Sequence, residues 1–158
     1  MVKIKEIYFR KGGRNKKFRN IVKNITNCLK RVNSKSKTFD RHLLTCLRRT
    51  NKNYINKTEV PIFRKLGYQI DIYNPKEQIA IEIEKSETKL VWRILCKFII
   101  GARRRKINYA VLIVPIQYKG TRKNKTLTNI FNDAKRASHF LADILWVKNI
   151  AIIGYEKY

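Results

Sequence analysis

The sequence predicts an α/β fold in which helices cover both faces of a mixed β-sheet. Segments with helical apolar spacing alternate with strand-like segments, in the order α-α-β-β-α-β-α-β. The run YAVLIVPI at 109–116 is apolar throughout, which is typical of a central strand covered on both faces. Helices and strands that alternate in this way pack as layers around one sheet. A chain of 158 residues therefore fits a single domain spanning 1–158.

The N-terminal third is predicted to be basic and mostly helical. Residues 1–17 combine a short strand-like piece with a glycine-containing basic loop, KGGRNKK. Apolar spacing predicts helices at 18–32 and 38–49, and Thr38 has the character of an N-cap for the second helix. A polar loop at 50–61 follows.

The segment 67–84, GYQIDIYNPKEQIAIEIE, is predicted to be a β-hairpin with its turn at Asn74–Glu77. This turn pairs Asp71 with Ala80 and makes Glu82 the diagonal neighbour of Asp71. The period-two alternation places the isoleucines on one face: Ile70, Ile72, Ile79, Ile81 and Ile83. It places Asp71, Glu82 and Glu84 on the other face.

Three carboxylates on one strand face repel each other unless a proton or a cation intervenes. Magnesium binds oxygen ligands, typically one or two carboxylates together with waters and substrate phosphate oxygens. The acidic face therefore predicts a divalent metal site. The structural alternative is an ordinary solvated strand face, where acids simply meet water.

The remaining elements follow the hairpin in alternation: a helix at 87–100 between Ser86 and Gly101, the strand at 109–116, a helix from Thr126 or Thr128 to about Ala142, and a strand at 149–155. Gly101 is expected to end the first of these helices. Phe140 is expected to face the core from the second.

The charge balance predicts a polyanionic partner. Lysine and arginine number 37 against 11 aspartates and glutamates, which gives a net charge of +26. Candidate phosphate contacts lie in the basic runs: Lys11, Arg14, Lys16, Lys17, Arg103, Arg104, Arg105, Arg122, Lys123 and Lys125. For each of these residues the alternative is a solvated surface charge.

The cysteines and the hydropathy pattern indicate a reducing compartment. Cys28, Cys46 and Cys96 are odd in number, widely spaced and without a CxxC motif, so we expect unpaired buried thiols. There is no apolar run of membrane-spanning length and no signal-peptide-like apolar core at the N-terminus. We therefore expect a cytoplasmic protein with no membrane partner and no small-molecule cofactor.

The acidic hairpin and the elements after it resemble the PD-(D/E)XK nuclease superfamily. The motif is Asp71, ten residues, Glu82, one residue and Glu84, followed by helix, buried strand, helix and strand. Glutamate in the third position is similar to the BamHI, BglII and BstYI group of restriction endonucleases. QIDIYNPKEQIAIEIE and KFIIGARRRKINYAVLIVPI carry the likeness to the BglII/BstYI branch. The resemblance covers about 66–155 as a catalytic core and leaves 1–60 as a basic helical N-terminal part.

The resemblance implies a magnesium-dependent DNA endonuclease, with Mn²⁺ able to substitute. Asp71, Glu82 and the main-chain carbonyl of Ile83 would bind the metal, and Glu84 would act on the attacking water. Relatives cleave double-stranded DNA at short palindromes as homodimers, and the likeness to the BglII/BstYI branch implies a palindrome that contains GATC. The loop 117–125 would approach the major groove.

Within that resemblance, Tyr118, Lys119 and Arg122 are expected to read bases. The 87–100 helix, with Trp92 at its rim, is expected to form the dimer contact. Lys85 directly follows Glu84 and competes for the third catalytic position, but strand alternation turns it away from Glu82. Glu59 could complete a metal site, although a surface salt bridge suits it better.

Two alternatives to a restriction-like enzyme remain open at this point. One is a structure-selective nuclease of the same superfamily, such as a Holliday junction resolvase. The other is a basic nucleic-acid-binding protein without catalysis, in which the acids are solvated decoration.

Overall fold

The computed structural model describes residues 1–33, 38–56, 69–85, 88–116, 118–119, 127–141 and 147–156. Strands and helices follow the chain in this order: β1 Lys3–Lys11, α1 Lys16–Leu29, α2 Phe39–Thr50, β2 Ile55–Asn56, β3 Ile72–Asn74, β4 Ile79–Ile83, α3 Thr88–Arg103, β5 Tyr109–Pro115, β6 Tyr118–Lys119, β7 Leu127–Thr128, α4 Ile130–Phe140 and β8 Asn149–Glu156.

The main sheet has six strands in the order β1-β8-β5-β4-β3-β2, and β6 pairs with β7 as a separate ribbon. Strands β4, β5 and β8 are parallel, whereas β1, β3 and β2 join antiparallel at the edges. Helix α3 connects β4 to β5 and α4 connects β5 to β8, as parallel neighbours require. The predicted α/β class, with helices on a mixed sheet, is confirmed.

The central strand β5 is covered on both faces, as its unbroken apolar run indicates. Val111 and Ile113 pack in the core beneath α1 and α2. Leu112 and Val114 pack in the core beneath α3 and α4. The sheet therefore separates two apolar layers, and any polar side chain inside either layer needs a partner.

The three parallel strands give the sheet an amino end and a carboxyl end. Ile79, Tyr109 and Asn149 lie side by side at the amino end, and Ile83, Ile113 and Ile153 lie towards the carboxyl end. Helix α1 begins at the amino end, where Asn15 Nδ2 donates to Asn149 Oδ1 at 3.3 Å. It finishes near the carboxyl end.

The hairpin register differs by two residues from the predicted one. Asn74 pairs with Ile79 and Ile72 with Ile81, so the turn is Pro75–Gln78 rather than Asn74–Glu77. The Asn74 side chain accepts from Glu77 N at 3.1 Å, and Gln78 takes a φ of 57°, so the turn is closed by local side-chain bonding that spacing does not reveal. A shift of two preserves the parity of the strand faces.

Ile70 does not share a layer with the other hairpin isoleucines. It lies before β3 begins and packs beneath α3 and α4, whereas Ile72, Ile79, Ile81 and Ile83 pack beneath α1 and α2. The alternation rule applies only within the strand, and the chain leaves that geometry at Asp71.

Helices α3 and α4 also have boundaries that differ from expectation. Helix α3 continues through Gly101 to Arg103, and it ends in a Schellman motif. In this motif Arg105 N donates to Ala102 O and Lys106 N to Gly101 O, both at 2.9 Å, and Arg105 takes the left-handed φ of 55°. Arg105 therefore occupies the position that was expected to need glycine.

Helix α4 begins later than either predicted threonine cap, Thr126 or Thr128, would allow. Its N-cap is Asn129, whose side chain accepts from Asn132 N at 3.0 Å. Phe140 was expected to face inward and is 80% exposed instead, because the buried stripe of α4 passes through Ala134, Ala137 and Leu141. Ser86, the expected cap of α3, lies outside the described residues.

The prediction of unpaired cysteines is wrong for two of the three. Cys28 on α1 and Cys46 on α2 form a disulfide, with their Cα atoms 5.6 Å apart. The two helices pack against each other, which brings together residues 18 positions apart. Cys96 is a free thiol but is exposed rather than buried.

Within the described ranges, none of the helices combines the length and the apolar character needed to cross a membrane.

Candidate active site

Asp71 and Glu82 come together near the carboxyl end of β4. Ile72 pairs with Ile81, so the next position along both strands brings Asp71 opposite Glu82. Asp71 Oδ2 accepts a hydrogen bond from Ile83 N at 2.9 Å, which fixes the carboxylate against the end of the strand. Asp71 and Glu82 are thus directly opposite each other on the two strands, whereas the prediction made them diagonal neighbours.

Glu82 is a buried carboxylate with a strongly perturbed proton affinity. Glu82 is 3% exposed, and this burial is the main reason that the pKa of its carboxyl group rises to about 8. The charge and hydrogen bond of Asp71 raise this pKa further, while Lys97 opposes the rise. Binding a proton or a cation therefore stabilises this carboxyl group.

Lys97 is a site residue that the sequence analysis missed. It reaches from α3 so that Nζ lies 2.8 Å from Glu82 Oε1 and 2.9 Å from Gln69 O. Its position, three residues after buried Ile94, places it on the inward stripe of α3. A lysine inside that apolar stripe is the signal that could have identified it.

Glu84 occupies a different environment from the acid pair. It follows the last residue of β4, so strand alternation no longer determines its side. Its Oε1 accepts from Lys85 N at 2.8 Å, and its backbone N donates to Ile113 O at 3.0 Å. Burial first, then the charges of Asp40 and Glu84, raise the pKa of Tyr155, so Glu84 lies close to that ring.

In the part of the chain that the structure describes, no group of three or more His, Cys, Asp or Glu side chains could hold one metal ion. The described site is therefore the pair Asp71 and Glu82, and Glu84 lies near Tyr155 instead of completing a group of three acids. Magnesium does not require more, because one or two carboxylates suffice when waters and phosphate oxygens complete its shell. The pair fits that requirement.

Lys85 lies on the opposite side of the sheet from Lys97. Its Nζ is 2.7 Å from Asp40 Oδ1 and lies over the Phe39 ring, 5.5 Å from the centroid. These partners belong to the start of α2, whereas Glu82 faces α3. Glu59, the other alternative site residue, lies outside the described residues.

Most of the candidate phosphate contacts lie at the amino end of the sheet, away from the acid pair. Lys17 Nζ lies 3.5 Å from Glu77 Oε1 and 5.7 Å from the Tyr109 ring centroid. Arg105 is close to the same turn, where its carbonyl accepts from Gln78 Nε2 at 2.9 Å. These residues share that end: Lys11, Arg14, Lys16, Lys17, Arg103, Arg104 and Arg105.

About 13 Å of strand separates Ile79 from Ile83 at the usual rise per residue. The basic runs therefore do not converge on the acids. The candidate base-reading residues lie differently, because Tyr118 and Lys119 form β6, shortly after the carboxyl end of β5. Arg122, Lys123 and Lys125 lie outside the described residues.

Comparisons with known proteins bear on both the family and the fold. The family model described as "Putative halobacteria restriction endonuclease" matches residues 5–155. Among curated proteins, no relative is found. Among solved structures, the chain is similar to the crystal structure of restriction endonuclease BglII complexed with a DNA 16-mer, with a TM-score of 0.68 and 16% identity.

That structural match covers 99% of this chain and 79% of the BglII chain. At 16% identity it establishes the fold. The chain thus has a restriction-endonuclease-like PD-(D/E)XK fold, as the acidic hairpin and the order of the elements indicated.

Proposed function

This chain belongs to the restriction endonuclease family described from halobacteria, and from that premise we propose that it is a magnesium-dependent endonuclease acting on double-stranded DNA. The observation that carries the proposal is the Asp71–Glu82 pair near the carboxyl end of β4, in which Glu82 is buried and Asp71 accepts from the Ile83 amide. Two neighbouring acids in a protein of net charge +26 need a reason to be adjacent, and a divalent cation supplies one.

Asp71 and Glu82 would bind the metal, and the main-chain carbonyl of Ile83 would be the third oxygen ligand. A strand residue directs its N–H and C=O towards the same neighbour. The Ile83 N–H meets Asp71, so the geometry supports a carbonyl on the same edge. When bound, magnesium polarises the scissile phosphate and lowers the pKa of the attacking water. Mn²⁺ would substitute for it.

Glu84 would orient the attacking water, accept its proton, or contribute to a second metal. Its position directly after Ile83 supports a role at the same end of the sheet. Its Oε1 accepts from Lys85 N, and a carboxylate has further lone pairs that can accept from a water. Hydrolysis of this type leaves a 5′ phosphate and a 3′ hydroxyl.

The β6–β7 ribbon would approach the DNA, since it follows the carboxyl end of β5. A two-stranded ribbon fits the major groove of B-DNA. Tyr118 and Lys119 lie on it, and Arg122, Lys123 and Lys125 come between its strands in sequence. We propose base reading by Tyr118, Lys119 and Arg122, at a short palindrome that contains GATC.

A homodimer would match the two-fold symmetry of such a palindrome. An exposed aromatic pair supports a contact through α3 and α4. Trp92 and Phe140 are 41% and 80% exposed, and their ring centroids lie 5.7 Å apart in an edge-on arrangement. Sedimentation of wild type and of the Phe140→Glu variant tests this, since the charge should convert a dimer to monomer. A wild type that is monomeric with and without DNA would exclude the dimer.

Asp71→Ala, Glu82→Ala and Glu84→Ala should each abolish cleavage of plasmid DNA in Mg²⁺ while leaving binding in Ca²⁺ largely intact. Glu6→Gln is the matched control, because Glu6 is a more exposed acid on β1 that pairs with Lys135. Full activity in all three alanine variants would exclude the assignment. No cleavage by wild type would favour a binding protein, and preference for four-way junctions over linear duplexes would favour a resolvase.

A further inference from the structure

Lys97 and Glu82 form the most deeply buried ion pair in the described part of the chain. Their side chains are 12% and 3% exposed, whereas both members of each other described pair are at least 30% exposed. Exposed pairs contribute little to stability, and a buried pair has to overcome the desolvation of both charges. A pair of this kind is therefore weak evidence for a purely stabilising role.

The oxygen atoms around the Lys97 ammonium are those that a hard cation binds. Nζ lies 2.8 Å from a Glu82 carboxylate oxygen and 2.9 Å from the Gln69 carbonyl oxygen. Asp71, which interacts with Glu82, adds a second carboxylate beside them. Magnesium binds carboxylate and carbonyl oxygens. A lysine ammonium is a compact point charge and is positive, as magnesium is.

Without a cation nearby, the buried Glu82 carboxylate would face the half-buried Asp71 carboxylate. Lys97 supplies a positive charge to that pair from α3. The same charge opposes a divalent ion at the same oxygens, since two cations a few ångströms apart repel strongly in a partly buried site.

We propose that the Lys97 ammonium is a built-in stand-in for the metal: it holds Glu82 in its ligand orientation in the metal-free protein and is displaced when a divalent cation binds. This inference rests on the proposed function, and it makes Lys97 a positioning residue. The displaced ammonium on its flexible stem then needs a new anion. The phosphate of bound DNA is the anion that the substrate brings, so metal and DNA binding reinforce each other through Lys97.

The test compares Lys97→Met, which keeps the stem and removes the charge, with wild type. Without metal, at a pH where Glu82 is ionised, the Tm of the variant should fall by about 6 °C or more, because the carboxylate loses its buried partner. Mn²⁺ titrated without DNA should bind the variant on the order of tenfold more tightly, since the competing cation is gone. In a Ca²⁺ titration, adding a duplex oligonucleotide should increase the Ca²⁺ affinity of wild type more than that of the variant.

Lys135→Met is the matched control, because it removes a more exposed lysine–glutamate pair, between α4 and β1. Its Tm should stay within about 2 °C of wild type and its Mn²⁺ affinity should not change. Lys97→Gln, which keeps an amide donor, replaces the methionine variant if that protein does not fold.

An unchanged Mn²⁺ affinity in the Lys97 variants would overturn the inference while the proposed function stands, provided that wild type binds Mn²⁺ and cleaves DNA. A loss of stability without tighter metal binding would assign Lys97 a structural role only. If wild type neither binds Mn²⁺ nor cleaves DNA, the proposed function fails first and the inference fails with it.

Discussion

The two ends of the sheet differ in how their charges are held. Near the carboxyl end, Asp71, Glu82 and Lys97 are fixed by short hydrogen bonds, and Glu82 is almost fully buried. At the amino end, the basic side chains are exposed: Lys16, Lys17, Arg103, Arg104 and Arg105. The ion pair of Lys17 with Glu77 is long, at 3.5 Å, and lies at the surface. Buried charges at fixed distances suit chemistry, whereas exposed charges suit the phosphates of a polyanion.

The largest expected effect separates cleavage from binding. Glu82→Gln keeps the shape of the side chain and removes its negative charge, so the cleavage rate should fall at least about 10³-fold, as several kcal/mol of metal-mediated stabilisation are lost. Replacing Arg103, Arg104 and Arg105 together by glutamine should leave the single-turnover rate within about threefold at saturating enzyme. Rapid-quench assays on one duplex measure both.

The comparison breaks if the triple arginine variant loses cleavage at saturating enzyme as severely as Glu82→Gln. The amino end would then take part in the chemistry.

The disulfide gives the next largest effect, on stability. Cys28–Cys46 closes a loop of 18 residues between α1 and α2, the helices that link the two ends of the sheet. Its removal by Cys28→Ser with Cys46→Ser should cost about 3 kcal/mol and lower the Tm by roughly 6–12 °C. Calorimetry with and without reductant checks this. Cys96→Ser is the control, and an equal Tm in all variants would mean that the bond does not form in solution.

The pH dependence of stability should report on Glu82, at the carboxyl end of the sheet. The pKa of Glu82 in the folded protein is about 8, above its ordinary value of 4.5, so its protonated form stabilises the metal-free fold at low pH. That contribution is lost as the pH rises from about 4.5 through 8. The Tm difference between wild type and Glu82→Gln should therefore widen over this range, with wild type becoming the less stable. Saturating Ca²⁺ should remove the trend, and a pH-independent difference would contradict it.

The smallest expected effect concerns salt. Each lysine or arginine that contacts a phosphate lowers the salt slope of DNA binding by about one when it is removed. Lys17→Gln at the amino end should reduce the slope by about that amount, and Lys135→Gln on α4 should not. Equal slopes for all three proteins in fluorescence titrations would mean that the amino end does not face the DNA.

Local sequence patterns were sufficient to predict which strand residues share a face of the sheet. The parity of the isoleucines correctly grouped Asp71 with Glu82, because parity survives a register error of two. The register itself depended on the Asn74 side chain in the turn, and the end of α3 on a left-handed Arg105, neither of which follows from spacing. Sequence patterns also did not indicate which end of the sheet each basic run would occupy.

Contacts between distant segments were the part that sequence reasoning could not supply. Lys97 meets Glu82 only because α3 packs back over β4, and Cys28 meets Cys46 only because α1 packs on α2. Glu84 shows the limit of alternation, since the strand ends one residue before it. The pairing of Asp71 with Glu82 was therefore predictable, whereas the position of Glu84 and the contact between Lys97 and Glu82 depend on tertiary packing.

The most direct test of the account is the position of Mn²⁺ in a crystal of the protein with duplex DNA, measured by anomalous scattering. We expect a peak about 2.1 Å from a carboxylate oxygen of Asp71 and of Glu82, which is the usual distance for a small divalent cation. A peak only beside Asp40 and Glu84, or no peak near Asp71 in a crystal that contains bound DNA, would contradict the claim that the acid pair is the metal site.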